Sequence, residues 1–406
     1  MNKVVITGIG IVSCLGNNTE AVESSLRLGQ SGIIRDEKRS EMGFRSPLTG
    51  AVAGFETEKI LSKKQRKTMP DFAVHAYAAS MEALQSSGLS AADIQNDTTG
   101  LIFGCDSSCI AAVEQVDLLR RYGETKSIGS GSIFRSMTST ITMNLNTLLK
   151  TRGACWTISS ACSSGGHAIG QAADLIAMGK QDRIICGGAQ EINWESMCSF
   201  DALNAFSTRI DEPHKASRPF DKYRDGLVPS GGAAAVVLEE YETARSRGAG
   251  ILGEIVAYAF SSDGQNLSVP SQDGIQRAMK IALKTGSLVP RDIDYICAHA
   301  TSTPLGDAVE ARGIYEVFGS TTPPVSSLKS MTGHELWMSG ASQVVYTTIM
   351  AQHGFIAPNI NFDEPDEDSA RLNIVRETIE RPPHTAMCNA AGFGGTNSCI
   401  IVRFNT

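Results

Sequence analysis

The most informative stretch of the chain is Cys155-Trp156-Thr157-Ile158-Ser159-Ser160-Ala161-Cys162-Ser163-Ser164-Gly165-Gly166-His167. Its apolar start predicts a strand, and Ile169, Ala172 and Ile176 then recur at helical spacing. Cys162 is therefore predicted in a strand-to-helix turn, where free N–H groups and the helix dipole favour a thiolate. Small neighbours leave room for a substrate carbonyl, which makes Cys162 a candidate covalent nucleophile. Taken alone, the turn fits a small core thiol equally well.

Outward from this stretch, short β-branched runs alternate with longer helical ones, which predicts an α/β fold with a mainly parallel sheet. Strands are predicted at residues 3–7, 99–103, 155–159, 182–186, 233–238, 251–258, 295–298 and 398–403. Helices are predicted at residues 19–28, 71–87, 166–178, 275–285, 307–318 and 339–353. A charged helix ends in Arg247-Gly248-Ala249-Gly250. We therefore predict two halves, residues 1–249 with the nucleophile and residues 250–406 with two histidines.

Three further segments place polar residues just after predicted strands, where α/β proteins put their sites. His299 follows the strand at 295–298 and precedes a loop rich in hydroxyl groups. His334 ends the segment 326–334, which also carries Lys329. A glycine-dense loop, 389–397, precedes the last strand. Each histidine alone is more often structural than catalytic, but with Cys162 the two make a Cys/His/His constellation.

Composition narrows the possible functions. The formal charge of -7 provides no general positive field for nucleic acid. The ten cysteines include no CxxC pair and no zinc-type spacing, so we expect no metal and mostly buried, reduced thiols. No apolar stretch reaches the length of a membrane span, and Gly8 and Gly10 interrupt the apolar N-terminal run. We therefore expect a cytoplasmic protein that contacts neither membrane nor nucleic acid.

Taken together, these segments make the chain resemble the β-ketoacyl-acyl-carrier-protein synthases of the thiolase superfamily, closest to the elongating type I/II enzymes. The resemblance runs from Val4–Gly8 to residues 392–397 and includes residues 216–221 and 224–226. It implies a five-layer αβαβα sandwich of two pseudo-duplicated halves, working as a homodimer. Thiolases replace one histidine with a second cysteine, and chain-initiating synthases pair cysteine with histidine and asparagine, so Cys-His-His favours an elongating decarboxylase.

The resemblance also implies a role for each site residue. Cys162 accepts an acyl group, and malonyl-carrier protein then loses carbon dioxide and attacks the acyl-cysteine in a step of fatty acid biosynthesis. His299 and His334 stabilise the enolate, and the backbone N–H groups of Cys162 and Phe393 form the oxyanion hole. The remaining assignments are Lys329 paired with Glu310 to order the histidines, Asp307 as a further supporting carboxylate, and Thr301 and Thr303 on the pantetheine arm. Lys329 could instead be an exposed loop cation. No cofactor is expected, because 4'-phosphopantetheine on the acyl carrier protein holds the substrates.

The carrier protein is an acidic partner, and one basic run stands out against the negative total charge. Residues 63–67 hold four cations, namely Lys63, Lys64, Arg66 and Lys67. The resemblance implies carrier docking near this segment. Such a run is otherwise a plain solvated face.

The chain departs from the elongating synthases beside its proposed catalytic residues. Glu335-Leu336-Trp337-Met338 stands where Ser-Leu-Gly-Ala is usual, Ala300 replaces a glycine, Ala390-Ala391 replaces Ser-Phe, and Phe206 replaces a leucine. We expect Glu335 to alter the protonation of His334, and the set to suit an unusual acyl chain such as a polyene or aryl chain. The alternatives are a ketosynthase of a specialised polyene or polyketide pathway, a non-catalytic chain-length partner subunit, and a thiolase or coenzyme-A-using initiator.

Overall fold

The computed structural model describes residues 1–404. In that range the strands are β1 (Val4–Val12), β2 (Ile34–Arg35), β3 (Leu48–Thr49), β4 (Thr99–Gly104), β5 (Cys155–Ile158), β6 (Arg183–Gln190), β7 (Gly232–Glu240), β8 (Gly253–Ser262), β9 (Tyr295–Cys297), β10 (Val325–Ser326), β11 (Thr385–Gly392) and β12 (Thr396–Arg403).

The α-helices of the same range are α1 (Thr19–Arg27), α2 (Glu37–Glu41), α3 (Thr57–Ile60), α4 (Lys63–Arg66), α5 (Asp71–Ser87), α6 (Ala91–Ile94), α7 (Ile110–Tyr122), α8 (Ser132–Ser136), α9 (Thr140–Leu149), α10 (Ser164–Ala177), α11 (Trp194–Ala202), α12 (Tyr241–Ser246), α13 (Gln272–Thr285), α14 (Pro304–Phe318), α15 (Lys329–Thr332) and α16 (Ser339–His353). Short 3₁₀ helices lie at Thr125–Ser127, Ala161–Ser163, Pro213–Lys215, Pro290–Asp292, Gly319–Thr321, Leu336–Met338, Ser369–Arg371 and Phe393–Gly395.

One strand pattern occurs twice. In the first half β1 pairs antiparallel with β7, β7 antiparallel with β6, and β6, β4 and β5 follow in parallel. In the second half β8, β12 and β11 pair antiparallel, and β11, β9 and β10 follow in parallel. Val5 and Ile6 of β1 pair with β8 and join the two sets into one ten-stranded sheet. This repeat confirms the predicted pseudo-duplicated α/β fold.

Helices cover both faces of each set of strands and separate the two sets. Helix α5 packs on the outer face of β1 and β7, and α13 packs on β8 and β12 with α14 beside it. Between the two sets lie α10, which contacts β4 and β6, and α16, which contacts β7 and β11. Helix α16 is buried on every side from Ser339 to Ala351, as a helix in a central layer must be. The order of layers is αβαβα.

Two details of the sequence prediction are wrong. The sheet is mixed rather than mainly parallel, because β7 and β12 return antiparallel beside β6 and β11. The predicted loop at 389–397 is a hairpin, in which β11 runs to Gly392 and β12 begins at Thr396. Its small residues hid the strand, since alanine and glycine carry little β-propensity and yet fit a closely covered position.

The described residues form neither a membrane span nor a metal site. Within residues 1–404 no helix has both the length and the apolarity that crossing a membrane requires. In the same part of the chain no three His, Cys, Asp or Glu side chains converge as metal ligands would.

Candidate active site

Cys162 lies where the sequence predicts it, between β5 and α10. The 3₁₀ turn Ala161–Ser163 carries it, and Ala161 has a φ of 46°, a left-handed conformation that costs energy for any residue except glycine. The Ser164 hydroxyl closes the turn by accepting the Ser160 N–H at 2.8 Å and donating to the Ala161 carbonyl at 2.6 Å. The turn therefore holds Cys162 in one place.

Two backbone N–H groups, those of Cys162 and Phe393, lie near the Cys162 sulfur and act to lower the pKa of its thiol. The second comes from the other half of the molecule, and it can approach because residue 392 is glycine. A Cβ there would lie 2.9 Å from the Cys162 nitrogen. These paired donors have the arrangement of the predicted oxyanion hole.

The predicted thiolate is wrong for the resting site. Cys162 is only 5% exposed, and burial raises the pKa of its thiol to about 12. Lys329 and the two backbone N–H groups act in the opposite direction but do not offset the desolvation. At neutral pH the sulfur carries its proton.

A cavity of about 440 Å³ opens onto this sulfur. It brings together most of the predicted site residues, namely Cys162, His299, Thr301, Thr303, Glu310, His334 and Phe393. Asp307 and Lys329 lie behind its wall. The remaining wall is largely apolar and comes from segments far apart in sequence, including Phe200, Leu227, Leu267 and Leu336. The sequence analysis did not identify these four, because no local pattern marks them as neighbours of Cys162.

His299 and His334 face each other edge to face, with ring centroids 5.2 Å apart. Nδ1 of His334 accepts hydrogen bonds from the Leu336 N–H at 3.4 Å and lies 3.3 Å from the Ser339 hydroxyl. Accepting at Nδ1 leaves the proton of a neutral ring on Nε2. Burial and the Lys329 charge hold the pKa of both histidines well below the usual range. Both rings are therefore neutral donors at pH 7.

Two buried carboxylates hold the loop that begins at His299. Glu310 accepts the N–H of His299 at 2.9 Å and that of Ala300 at 2.7 Å. Asp307 accepts the N–H of Thr301 at 2.9 Å and that of Ser302 at 3.2 Å. Burial raises the pKa of Glu310 to about 7 and that of Asp307 to about 6. Both carboxylates therefore fix the backbone of the loop that begins at His299.

The predicted pairing of Lys329 with Glu310 is wrong. Among residues 1–404, the Lys329 ammonium has no hydrogen-bond partner, because the Glu310 oxygens are taken by backbone N–H groups. The alternative of an exposed loop cation is wrong too, since Lys329 is 3% exposed. Burial lowers its pKa, although nearby acidic groups, Glu310 and Glu335 among them, act in the opposite direction. The structure places an unpaired cation behind the histidines.

The two threonines lie side by side at the cavity, with their hydroxyl oxygens 3.1 Å apart. The basic residues 63–67 lie elsewhere, on α4 and at its C-cap, and none of them lines the cavity. Lys63, Lys64 and Lys67 are exposed, whereas Arg66 donates to the Leu61 carbonyl at 3.1 Å and is half-buried. Three of the four cations are therefore free to meet a partner.

Glu335 does not act on His334 as expected. Its carboxylate points away, accepting hydrogen bonds from the hydroxyls of Tyr346, at 2.6 Å, and Ser342. The low pKa of His334 has other causes, burial and Lys329.

Comparison with known proteins agrees with this geometry. A family model described as "Beta-ketoacyl synthase, N-terminal domain" matches residues 1–244, and its C-terminal counterpart matches residues 252–363. The chain is 42% identical to 3-oxoacyl-[acyl-carrier-protein] synthase 1 of Escherichia coli K12 over 99% of both chains.

Two solved structures are similar over their full lengths. A beta-ketoacyl synthase from Burkholderia phymatum is 35% identical with a TM-score of 0.94, and each chain is covered completely. A type II PKS ketosynthase, solved in complex with its acyl-carrier protein and bound to a hexaketide, is 27% identical with a TM-score of 0.89, again with complete coverage. Matches of this extent, on a chain whose Cys162, His299 and His334 meet in one cavity, show that the protein belongs to the beta-ketoacyl synthase family.

Proposed function

We propose that the protein is a 3-oxoacyl-[acyl-carrier-protein] synthase that lengthens acyl chains by decarboxylative condensation in fatty acid biosynthesis. The observation that carries the proposal is the single cavity in which the Cys162 sulfur, two backbone N–H donors and two neutral histidines converge. The proposal includes a cytoplasmic location, supported by ten cysteines that are all free thiols.

The first step transfers an acyl group to Cys162. Its sulfur attacks the carbonyl carbon of an acyl thioester, and the bond from that carbon to the carrier's sulfur breaks. The carbonyl oxygen becomes an oxyanion that the N–H groups of Cys162 and Phe393 stabilise. Because the resting thiol is protonated, its proton leaves as the new bond forms and ends on the departing pantetheine thiol.

In the second step the malonyl thioester loses carbon dioxide. The electrons of the broken C–C bond form an enolate, whose oxygen needs hydrogen-bond donors. The neutral ring of His334 offers its Nε2–H, and that of His299 provides a second donor in the same cavity. Losing one such donor typically costs about 3 kcal/mol of barrier. The enolate carbon then attacks the acyl-Cys162 carbonyl and the C–S bond breaks, releasing the 3-ketoacyl product and a Cys162 thiolate, which takes a proton from water.

The substrates arrive on a carrier protein, so no resident cofactor is required. Thr301 and Thr303 present adjacent hydroxyls at the cavity, suited to the amides of a pantetheine arm. The exposed cations of α4 supply a positive surface for an acidic carrier.

A homodimer is also part of the proposal. Strand β5 is the last strand of the ten-stranded sheet, and Trp156 on it is 41% exposed. The exposed apolar side chains of α7, α8 and the segment after them are Val113, Val116, Leu119, Tyr122, Ile133, Phe134 and Met137. An open sheet edge together with a large apolar patch is what a second copy of the chain would cover.

The second candidate is a ketosynthase of a specialised polyene or polyketide pathway. The observation that favours it is the bulky wall beside Cys162, where the buried rings of Phe206 and Trp337 pack around Phe200. A non-catalytic partner subunit is disfavoured, because Cys162, His299 and His334 are all present and line one cavity.

The test is turnover with acyl- and malonyl-carrier protein. We expect carbon dioxide release, an acyl adduct on Cys162 by mass spectrometry, and a 3-ketoacyl product. Cys162→Ala should abolish the adduct, whereas Cys186→Ala, a change at an equally buried thiol, should not. Absence of both adduct and product in the unmodified protein would exclude the proposal. Saturated, polyenoyl and aryl primers compared side by side would distinguish the two candidates.

A further inference from the structure

Trp337 lies directly behind the wall of the Cys162 cavity. Its backbone carbonyl packs on the first turn of α10, where a Cβ added to Gly165 would come within 3.0 Å of it. The side chain is 7% exposed and belongs to a separate apolar cluster that includes Cys162. The other fully buried members of that cluster are Met197, Phe206, Leu227 and Leu336.

A hydrogen-bond chain fixes the orientation of the indole. Nε1–H of Trp337 donates to the Ser107 hydroxyl at 3.2 Å, and that hydroxyl donates to the Glu191 carboxylate at 3.4 Å. Glu191 also accepts the Cys109 backbone N–H, which anchors the same loop. A buried indole N–H usually finds such a partner, and here that partner is itself hydrogen-bonded to Glu191.

The cavity has one face suited to an acyl chain. Thr301, Thr303 and the histidines supply polar groups to the lining, whereas Phe200, Leu227 and Leu336 form an apolar part of it that belongs to the same cluster as Cys162. A hydrocarbon chain on the Cys162 sulfur removes most surface from water along the apolar side. Phe200 and Leu336 line the cavity and Trp337 does not, but the Trp337 ring packs against Phe200, with ring centroids 6.3 Å apart.

We propose that Trp337, held by Ser107, is a specificity-determining residue that closes the apolar side of the cavity and limits the length of the acyl chain on Cys162. The inference rests on the proposed condensing activity. The indole stands between Phe200, which lines the cavity, and Ser107, which does not. Removing it would open the cavity toward the loop after β4.

The experiment measures kcat/KM for acyl-carrier proteins carrying saturated chains, each two carbons longer than the last. The unmodified protein should show a steep fall beyond one chain length. Trp337→Gly should move that fall to longer chains, with at least about a tenfold gain for the first chain that the unmodified protein rejects. Rates with the shortest chains should stay within a few-fold, since these chains do not reach the indole.

Two further variants separate bulk from hydrogen bonding. Ser107→Ala keeps the indole but removes its hydrogen-bond partner. The fall of kcat/KM with chain length should become less steep, and it should shift less than in Trp337→Gly. Trp337→Leu keeps an apolar side chain in the cluster and should give an intermediate shift, which secures the test if the glycine variant folds poorly. An unchanged length profile in the folded variants, with short-chain turnover retained, would overturn the inference alone. If the unmodified protein transferred no acyl chain of any length to Cys162, that result would instead overturn the proposed function.

Discussion

At the residue scale, Lys329 acts on its neighbours through the electric field of its charge and not through a hydrogen bond. Its ammonium is buried without a hydrogen-bond partner among the described residues, and it lowers the pKa of the Cys162 thiol. Lys329→Met should therefore raise that pKa further and slow the reaction of Cys162 with iodoacetamide by about an order of magnitude at a given pH. Lys329→Arg, which keeps the charge, is the matched control. Equal alkylation rates in the methionine variant and the unmodified protein would contradict this role.

Glu310 should give condensation a pH dependence. The pKa of its carboxyl is raised to about 7, and as pH falls through 7 the protonated form can no longer accept both the His299 and Ala300 N–H groups. Turnover should therefore fall as the pH is lowered below 7. Glu310→Gln should lower the plateau about 10- to 100-fold and remove this inflection, because its amide has one acceptor oxygen. A retained inflection would mean that another group titrates.

The same carboxyl predicts a stability difference with a defined sign. Because its folded pKa lies above the unfolded value, its contribution to stability is present below pH 4.5 and is lost as pH rises through 7. Measured relative to Glu310→Gln, the unmodified protein should therefore lose up to about 3 kcal/mol of unfolding free energy between pH 4.5 and 8. Urea unfolding of both proteins at several pH values is the measurement.

At the element scale, the 3₁₀ turn before α16 carries backbone strain. Leu336 has a φ of 44° and is buried at the cavity wall. Replacing leucine by alanine or glycine removes the same packing, but only glycine relieves the left-handed conformation. Leu336→Gly should therefore be more stable than Leu336→Ala by about 1 kcal/mol in chemical unfolding. At Ala112 in α7, where the backbone is helical, the protein with glycine should instead be less stable than the protein with alanine.

The exposed lysines of α4 should govern carrier affinity. Reversing Lys63 and Lys64 to glutamate should raise the Kd for acyl-carrier protein about tenfold at low salt, and the difference should shrink as salt screens it. Reversing Lys280 and Lys284, exposed lysines on α13, is the control. Equal losses in both double variants would indicate a general charge effect and not a docking site.

At the scale of the whole molecule, the open edge at β5 predicts self-association. Trp156→Glu places a charge on that edge and should shift the protein toward monomer in sedimentation equilibrium. Phe260→Glu alters another exposed aromatic residue on a strand and should leave the assembly unchanged. A monomeric unmodified protein would contradict the proposed dimer.

The sequence predicts the site well where a short pattern controls it. A strand followed by small residues and a helix places Cys162, and the strand ends before His299 and His334 place the other two groups on the same side of the molecule. The features that the sequence analysis did not predict depend on how distant segments pack together. Whether Glu310 meets Lys329 or two backbone N–H groups depends on which donors arrive in the folded loop. The protonation of Cys162 depends on how completely distant segments cover it. That the halves, 1–249 and 250–406, are separate units remains a prediction.

The approach of Gly392 to the Cys162 backbone has a consequence for biosynthesis. Cys162 leaves the ribosome long before the hairpin that brings the Phe393 N–H beside its sulfur, and His299 and His334 are also translated after it. An unfinished chain therefore holds the Cys162 thiol without the Phe393 N–H and without the two histidines. The full set of groups around the Cys162 sulfur is assembled only when β11 and β12 have docked beside it.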